Sequence, residues 1–120
     1  MSGVKRSARV AERLREELSA LMRDLRDPRV SGALVSRVEM TDDLQSAKVY
    51  VRRLGAGEEQ DRRELVKGLT AASGKLRREV AQALALRYAP TLKFFYDDAP
   101  DAMTRVEELL REIKRDEGAR

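Results

Sequence analysis

An α+β domain, with helices packed on a three-stranded sheet, is the fold class this sequence predicts, and three patterns predict it. Apolar residues between Val10 and Leu25 recur at helical spacing. Two β-branched runs, residues 34–41 and 47–54, alternate with period two around a turn. A second helical region around residues 65–83 is interrupted at Ser73-Gly74 and is followed by an aromatic run at 91–97. No linker or repeat divides the chain, so its 120 residues are expected to form one domain, 1–120, with a core of about 5–114 and frayed termini.

At about 100° per residue, Val10, Ala11, Leu14, Leu18, Leu21, Met22 and Leu25 share one arc of a first helix. Asp27-Pro28 is expected to end it, because proline disfavours helical geometry in the residue before it. Arg6, Arg9 and Arg13 gather on the opposite side as a basic edge. LVSRVEMT and AKVYVRRL flank the turn DDLQS and predict an antiparallel hairpin, with Gly55, Gly57 and the acidic EEQD in the loop that leaves it. Pro90 is expected to stop the broken helix and start a third strand with Leu92, Phe94 and Tyr96 on one face. Its aromatics, Phe94, Phe95 and Tyr96, are expected to pack in the core, as large rings mostly do, over the competing reading that exposed sheet aromatics stack bases, since the glycine-punctuated RNP pattern is absent. The last helix opens at Asp98 and Pro100 and carries an apolar stripe of Met103, Val106, Leu110 and Ile113 before a polar tail after about Arg115.

Composition narrows the function. The chain has no cysteine and no histidine, which removes disulfides, thiolate nucleophiles, Ser-His and Cys-His arrangements and nearly every structural zinc site. No enzyme activity, metal or cofactor is expected. The N-terminus lacks the apolar run of a signal peptide, Glu12, Glu16 and Glu17 argue against a transit peptide, and no segment approaches a membrane span, so the chain reads as soluble and cytoplasmic. The formal net charge is +4 with a sequence pI near 9.7. That charge is uneven: Lys75, Arg77, Arg78, Arg87 and Lys93 stand against Glu79 alone, while acids outnumber bases from Asp97 onward. A basic centre with an acidic C-terminal element suits a polyanion-binding face. Arginine enrichment from a GC-rich genome is the plainer account of the same charges.

The break at Ser73-Gly74 is where function and structure meet. Leu65, Leu69, Ala72, Leu76, Val80 and Ala83 keep their spacing through it, so both halves face one core. Glycine inside a helix costs roughly 1 kcal/mol relative to alanine, so a kink is expected there, with Gly74 supplying backbone angles other residues lack. Replacing Gly74 with alanine is expected to straighten it. The break also exposes the N-terminus of the second half, whose unpaired amides favour phosphate beside Lys75 and Arg78. A packing kink with ordinary surface charges is the competing account. GLTAASGKL does not fit a nucleotide-binding P-loop: five residues separate Gly68 from Gly74, and Leu76 replaces the magnesium-binding hydroxyl. The order αββααβ is that of a bacterial type II KH domain, but no GXXG clamp exists, and Ala72-Ser73-Gly74 occupies its place.

RVAERLREELSALM, DPRV, VEMTDDLQSAKVYV, AASGKLRREVAQALALRYAPTLKFFYDD and MTRVEELL, in that order over most of the chain, resemble the ribosome-binding factor A family. Its hallmark, an Ala-x-Gly interhelical kink replacing GXXG, is matched by Ala72, Ser73 and Gly74. The resemblance implies a KH-like domain of order αββααβα. It further implies a non-enzymatic factor that binds the free small ribosomal subunit and its rRNA during late maturation, assists processing near the 5′-terminal helix and supports growth in the cold. On that basis Ala72 to Gly74 with Lys75, Arg77, Arg78 and Arg87 are the expected RNA contacts, and Arg6, Arg9 and Arg13 a second, weaker patch. Longer-tailed members of the family exist, and this chain has little sequence after its last helix. The protein is expected to be monomeric. Two other classes remain open at this point: a helix-turn-helix DNA-binding regulator and a basic protein-interaction module.

Overall fold

The amphipathic arc near the N-terminus forms α1, Arg6–Arg23, and buries Val10, Ala11, Leu14, Leu18 and Met22. This is a computed structural model, which describes residues 5–53 and 58–118; Gly55 and Gly57 lie outside them. α1 ends earlier than Asp27-Pro28: the Asp24 N–H reaches back to the Leu21 carbonyl and the Leu25 N–H to that of Met22. Asp27-Pro28 instead starts a 3-10 turn, Pro28–Val30, in which the Asp27 carboxylate accepts the Arg29 N–H at 2.9 Å and holds the Arg29 guanidinium at 2.7 Å. The side-chain hydrogen bond from Arg29 keeps the Asp27 carboxyl below the usual carboxylate range. The turn delivers Val30 to the core.

β1, Ala33–Met40, and β2, Ser46–Arg53, pair antiparallel, and β3, Thr91–Tyr96, runs parallel to β2, giving a mixed sheet of order β1-β2-β3. Between β2 and β3 come α2, Glu59–Ala71, and α3, Ser73–Ala83, which supply the crossover a parallel pair needs. Leu14, Leu18, Leu65, Leu69, Leu76 and Val80 from the helices meet Val35, Val49, Val51, Leu92 and Phe94 from one face of the sheet. The observed order is thus the expected αββααβα.

β1 departs from strict alternation. Val35 pairs with Val51 but Arg37 pairs with Tyr50, so Ser36 is an extra residue. Such a bulge re-aims the side chains beyond it: Val38 and Met40 return toward the core cluster while Arg37 turns to the other face of the sheet.

α3 does not run to Pro90. Its end is a Schellman motif, with the Leu86 N–H on the Ala81 carbonyl at 2.9 Å and the Ala85 N–H on Gln82 at 3.2 Å. Ala85 takes the left-handed position at φ 52°, where a Cβ costs about 1–2 kcal/mol. Ala85→Gly is therefore expected to stabilise the fold by about 0.5–1 kcal/mol after the larger unfolded-state entropy of glycine is subtracted. Calorimetry would then read a melting temperature raised by about 2–4 °C.

The aromatic run of β3 divides. Phe94 is buried and Tyr96 lies beneath the Arg62 guanidinium, 4.8 Å from the ring centroid. Phe95 is not in the core as expected: it is 41% exposed on the opposite face, because adjacent strand residues point to opposite sides. α4, Ala99–Gly118, continues through the polar tail. Val106, Leu109, Leu110 and Ile113 stay exposed along it, so the stripe forms but does not join the core. The Met103 side chain lies outside the described residues. No described helix is long and apolar enough to cross a membrane.

Candidate nucleic-acid interface

The interruption between α2 and α3 is a single residue. Ala72 caps both helices at φ −87°, ψ −1°. Its N–H is shared between the carbonyls of Gly68 at 3.2 Å and Leu69 at 3.1 Å, and its own carbonyl accepts the Leu76 N–H at 3.0 Å. At this junction the Thr70 carbonyl takes the Ser73 N–H, and Ala72 has no side chain able to cap the amides of Gly74 and Lys75 that follow. Their partial positive charge marks this end of the helix.

Gly74 does not play its expected part. Among the described glycines, Gly32 is the one with a left-handed φ; Gly74 sits in the first turn of α3. A Cβ there would find nothing nearer than Arg78 Nη1 at 3.7 Å, an ordinary contact. Alanine fits without straightening anything. The same distance shows where Arg78 goes: its exposed guanidinium lies beside the first turn of α3, next to exposed Lys75. Lys75 makes one loose ion pair, at 4.0 Å to Glu79. Two cations and the leading amides of α3 are therefore brought together.

Arg77 is turned elsewhere. Its Nε donates to the Pro90 carbonyl at 3.0 Å and its Nη2 to Ala89 at 3.2 Å, so its guanidinium braces the loop between α3 and β3. Arg87 sits in that loop, 5.3 Å from the Tyr88 ring centroid. It groups with the N-terminal arginines and not with the helix break. Arg6, Arg9 and Arg13 line a cavity of about 330 Å³ against Leu84, Ala85 and Leu86. Arg6 and Arg87 share the adjoining cavity of about 170 Å³ with Tyr88 and Asp43. The patch foreseen as separate and weaker is a four-arginine groove between α1 and the end of α3. Its unity was hidden because Ala85 ends α3 early and swings Arg87 back to α1.

A third feature bears on the lesser of the two readings of the aromatic strand, exposed rings on the sheet, and adds Tyr50, which the sequence did not single out. On the sheet face away from the helices, Tyr50 and Phe95 stack with ring centroids 5.6 Å apart, and the Arg37 guanidinium covers Tyr50 at 4.0 Å. The sequence signal is polar and aromatic residues at alternate positions of β2 and β3, which becomes legible once the register is known.

An α+β domain in which a one-residue break stands in place of the glycine-rich clamp belongs to the class of KH-like domains. The profile described as Ribosome-binding factor A matches residues 6–110. The ribosome-binding factor A of Sorangium cellulosum is 69% identical over 116 residues, covering 95% of this chain and 94% of that protein. That of Syntrophobacter fumaroxidans is 41% identical and covers 94% and 97%. A solution structure from Thermotoga maritima, described as a putative ribosome binding factor A, aligns with a TM-score of 0.70 at 34% identity over 82% of this chain and 93% of that one. The crystal structure of the Thermus thermophilus factor aligns at 0.65 with 26% identity, over 75% and 94%. The chain belongs to the ribosome-binding factor A family, whose members are non-enzymatic.

Proposed function

We propose that this protein binds the free small ribosomal subunit through its rRNA late in assembly, and that it acts by occupancy, holding one rRNA conformation until maturation is complete. The observation that carries the reading is the Arg78 guanidinium beside the uncapped first turn of α3, with Lys75 next to it. Amides and cations that converge on one point suit a phosphate oxygen, which accepts from both. Ala72, Ser73 and Gly74 place those amides, Arg77 holds the neighbouring loop in position, and the groove of Arg6, Arg9, Arg13 and Arg87 takes a second stretch of backbone. A homology model of the Thermus thermophilus relative has been fitted into a cryo-EM map of a complex of that protein with the 30S subunit. For this chain the same partner is proposed, with action near the 5′-terminal helix of the small-subunit rRNA, a role in cold growth, and a cytoplasmic monomer as the active form.

Sedimentation tests this. The purified chain is expected to travel with free small subunits, not with full ribosomes, and to leave them when ribonuclease is added. Affinity should fall with salt at a slope of about −0.9 in log K against log concentration for each duplex phosphate contacted. Equal capture of duplex DNA, or binding indifferent to both salt and ribonuclease, would reject the reading.

A further inference from the structure

From the open face of the sheet we infer a second nucleic-acid surface, a stacking platform for unpaired bases, built from Tyr50 and Phe95 with Lys48 and Lys93 beside them. The occupant is a single-stranded RNA segment. That it is RNA rests on the reading above, but the surface and its chemistry are different. Helices α1, α2 and α3 cover one side of the sheet, so this platform and the α2–α3 break address different parts of a partner.

Register places the four side chains together. Tyr50 pairs with Phe95 and Lys48 with Lys93 across the parallel β2–β3 ladder, and all four point away from the core face that carries Ala47, Val49, Leu92 and Phe94. The rings stack at 5.6 Å with planes 30° apart, and Phe95 is 41% exposed although it is among the largest apolar side chains of the chain. A large ring left part-exposed on the edge strand β3 forgoes some of the gain of burial. Its π-face is, however, suited to a base, which stacks regardless of its sequence identity. The Ser36 bulge brings Arg37 over the Tyr50 ring at 4.0 Å, so Tyr50 backs the Phe95 ring and Phe95 is the seat for the base.

Charge then favours a nucleic acid over an apolar protein surface. Lys48 and Lys93 are direct neighbours in the ladder, an arrangement of like charges that destabilises a sheet. Among the described residues neither forms an ion pair, whereas Arg37 is already matched to Glu39 at 3.3 Å. Two ammonium groups stand about 7 Å along the strands from the stacked rings, beside an open cavity of about 280 Å³ lined by both lysines and by Glu39, the cross-strand partner of Lys48; with Arg37 on that carboxylate, the patch keeps a positive balance. A base on Phe95 places its own backbone phosphate within reach of that pair. Base stacking on aromatics together with cations tracking the backbone is how sequence-tolerant single-strand binders work.

The test uses the full chain and two fluorescein-labelled RNAs, a twelve-nucleotide unpaired strand and a blunt hairpin of equal phosphate count, read by anisotropy. The unpaired strand should bind more tightly than the hairpin. Phe95→Leu, which keeps an apolar side chain without the π-face, should weaken the unpaired strand about tenfold. Lys48→Gln/Lys93→Gln should reduce the salt slope by about 1.4, two contacts of about 0.7 each. Circular dichroism melts serve as the folding control, and the lysine variant keeps the platform falsifiable should Phe95→Leu lose its fold. Equal binding of strand and hairpin, or an unpaired strand indifferent to both variants, overturns the platform. So does a Phe95→Leu protein that loses subunits in a ribonuclease-resistant way while still binding the strand, since the face would then meet protein. The α2–α3 break is intact in both variants, so these outcomes leave the proposed function to its own test.

Discussion

Gly68→Ala is expected to destabilise the protein, whereas Gly74→Ala leaves it as stable or more so. A Cβ at Gly68 would stand 2.7 Å from Val30 Cγ1, 3.2 Å from Arg29 Cβ and 3.4 Å from Asp27 Oδ2. None of these neighbours can yield cheaply. Val30 is 2% exposed in the core, and Asp27 and Arg29 hold each other through three hydrogen bonds between their side chains. α2 must therefore lift off the 3-10 turn, an overpacking that costs about 1–3 kcal/mol against at most about 1 kcal/mol of recovered helix propensity. The net loss is about 1–2 kcal/mol, a drop in melting temperature of about 5 °C. At Gly74 nothing lies nearer than 3.7 Å and the backbone is helical, so alanine gains up to about 1 kcal/mol of propensity. Urea unfolding followed by circular dichroism separates the two. Gly74→Ala should also bind subunits within about twofold of the parent chain, because the break is made at Ala72. Equal destabilisation by both variants would show that the glycine of the kink carries the structure after all.

This pair of glycines shows where reading the sequence succeeds. Local periodicity placed α1, the hairpin, the interruption and the third strand, because each is written in residues that are neighbours along the chain. Gly68 carries no such mark: its partners, Val30 and Arg29, lie far away in sequence and meet it through packing alone. Ser36 likewise looks like an ordinary strand residue until β2 fixes the register, and then every later side chain of β1 changes face. The stop at Ala85 was hidden because alanine is a strong helix former and the Schellman hydrogen bonds override that preference. For the site, the cations around the break were legible as a cluster of charge. The division of labour among them was not: Arg77 braces carbonyls of its own chain and Arg87 joins α1, and both depend on how the α3–β3 loop turns.

Reversing two charges should remove subunit binding without touching the fold. Lys75→Glu/Arg78→Glu alters side chains that are exposed, and the ion pair lost, Lys75 to Glu79 at 4.0 Å, is of the surface kind that contributes little. A glutamate at position 75, in the first turn of α3, complements the helix dipole and offsets its repulsion of Glu79, so the melting temperature should hold within a few degrees. Binding is another matter. Two charge-assisted contacts at about 1.5 kcal/mol each amount to about 3 kcal/mol, or about a hundredfold in dissociation constant, and carboxylates in their place repel the phosphate they once held. Arg9→Glu/Arg13→Glu, in the groove between α1 and the end of α3, should weaken binding by about tenfold, since only part of the backbone contact lies there. Sedimentation of each variant with free small subunits at physiological salt gives the ranking. If the groove variant loses binding and the Lys75/Arg78 variant keeps it, phosphate recognition belongs to the four arginines, and the helix break is a packing feature whose leading amides face water.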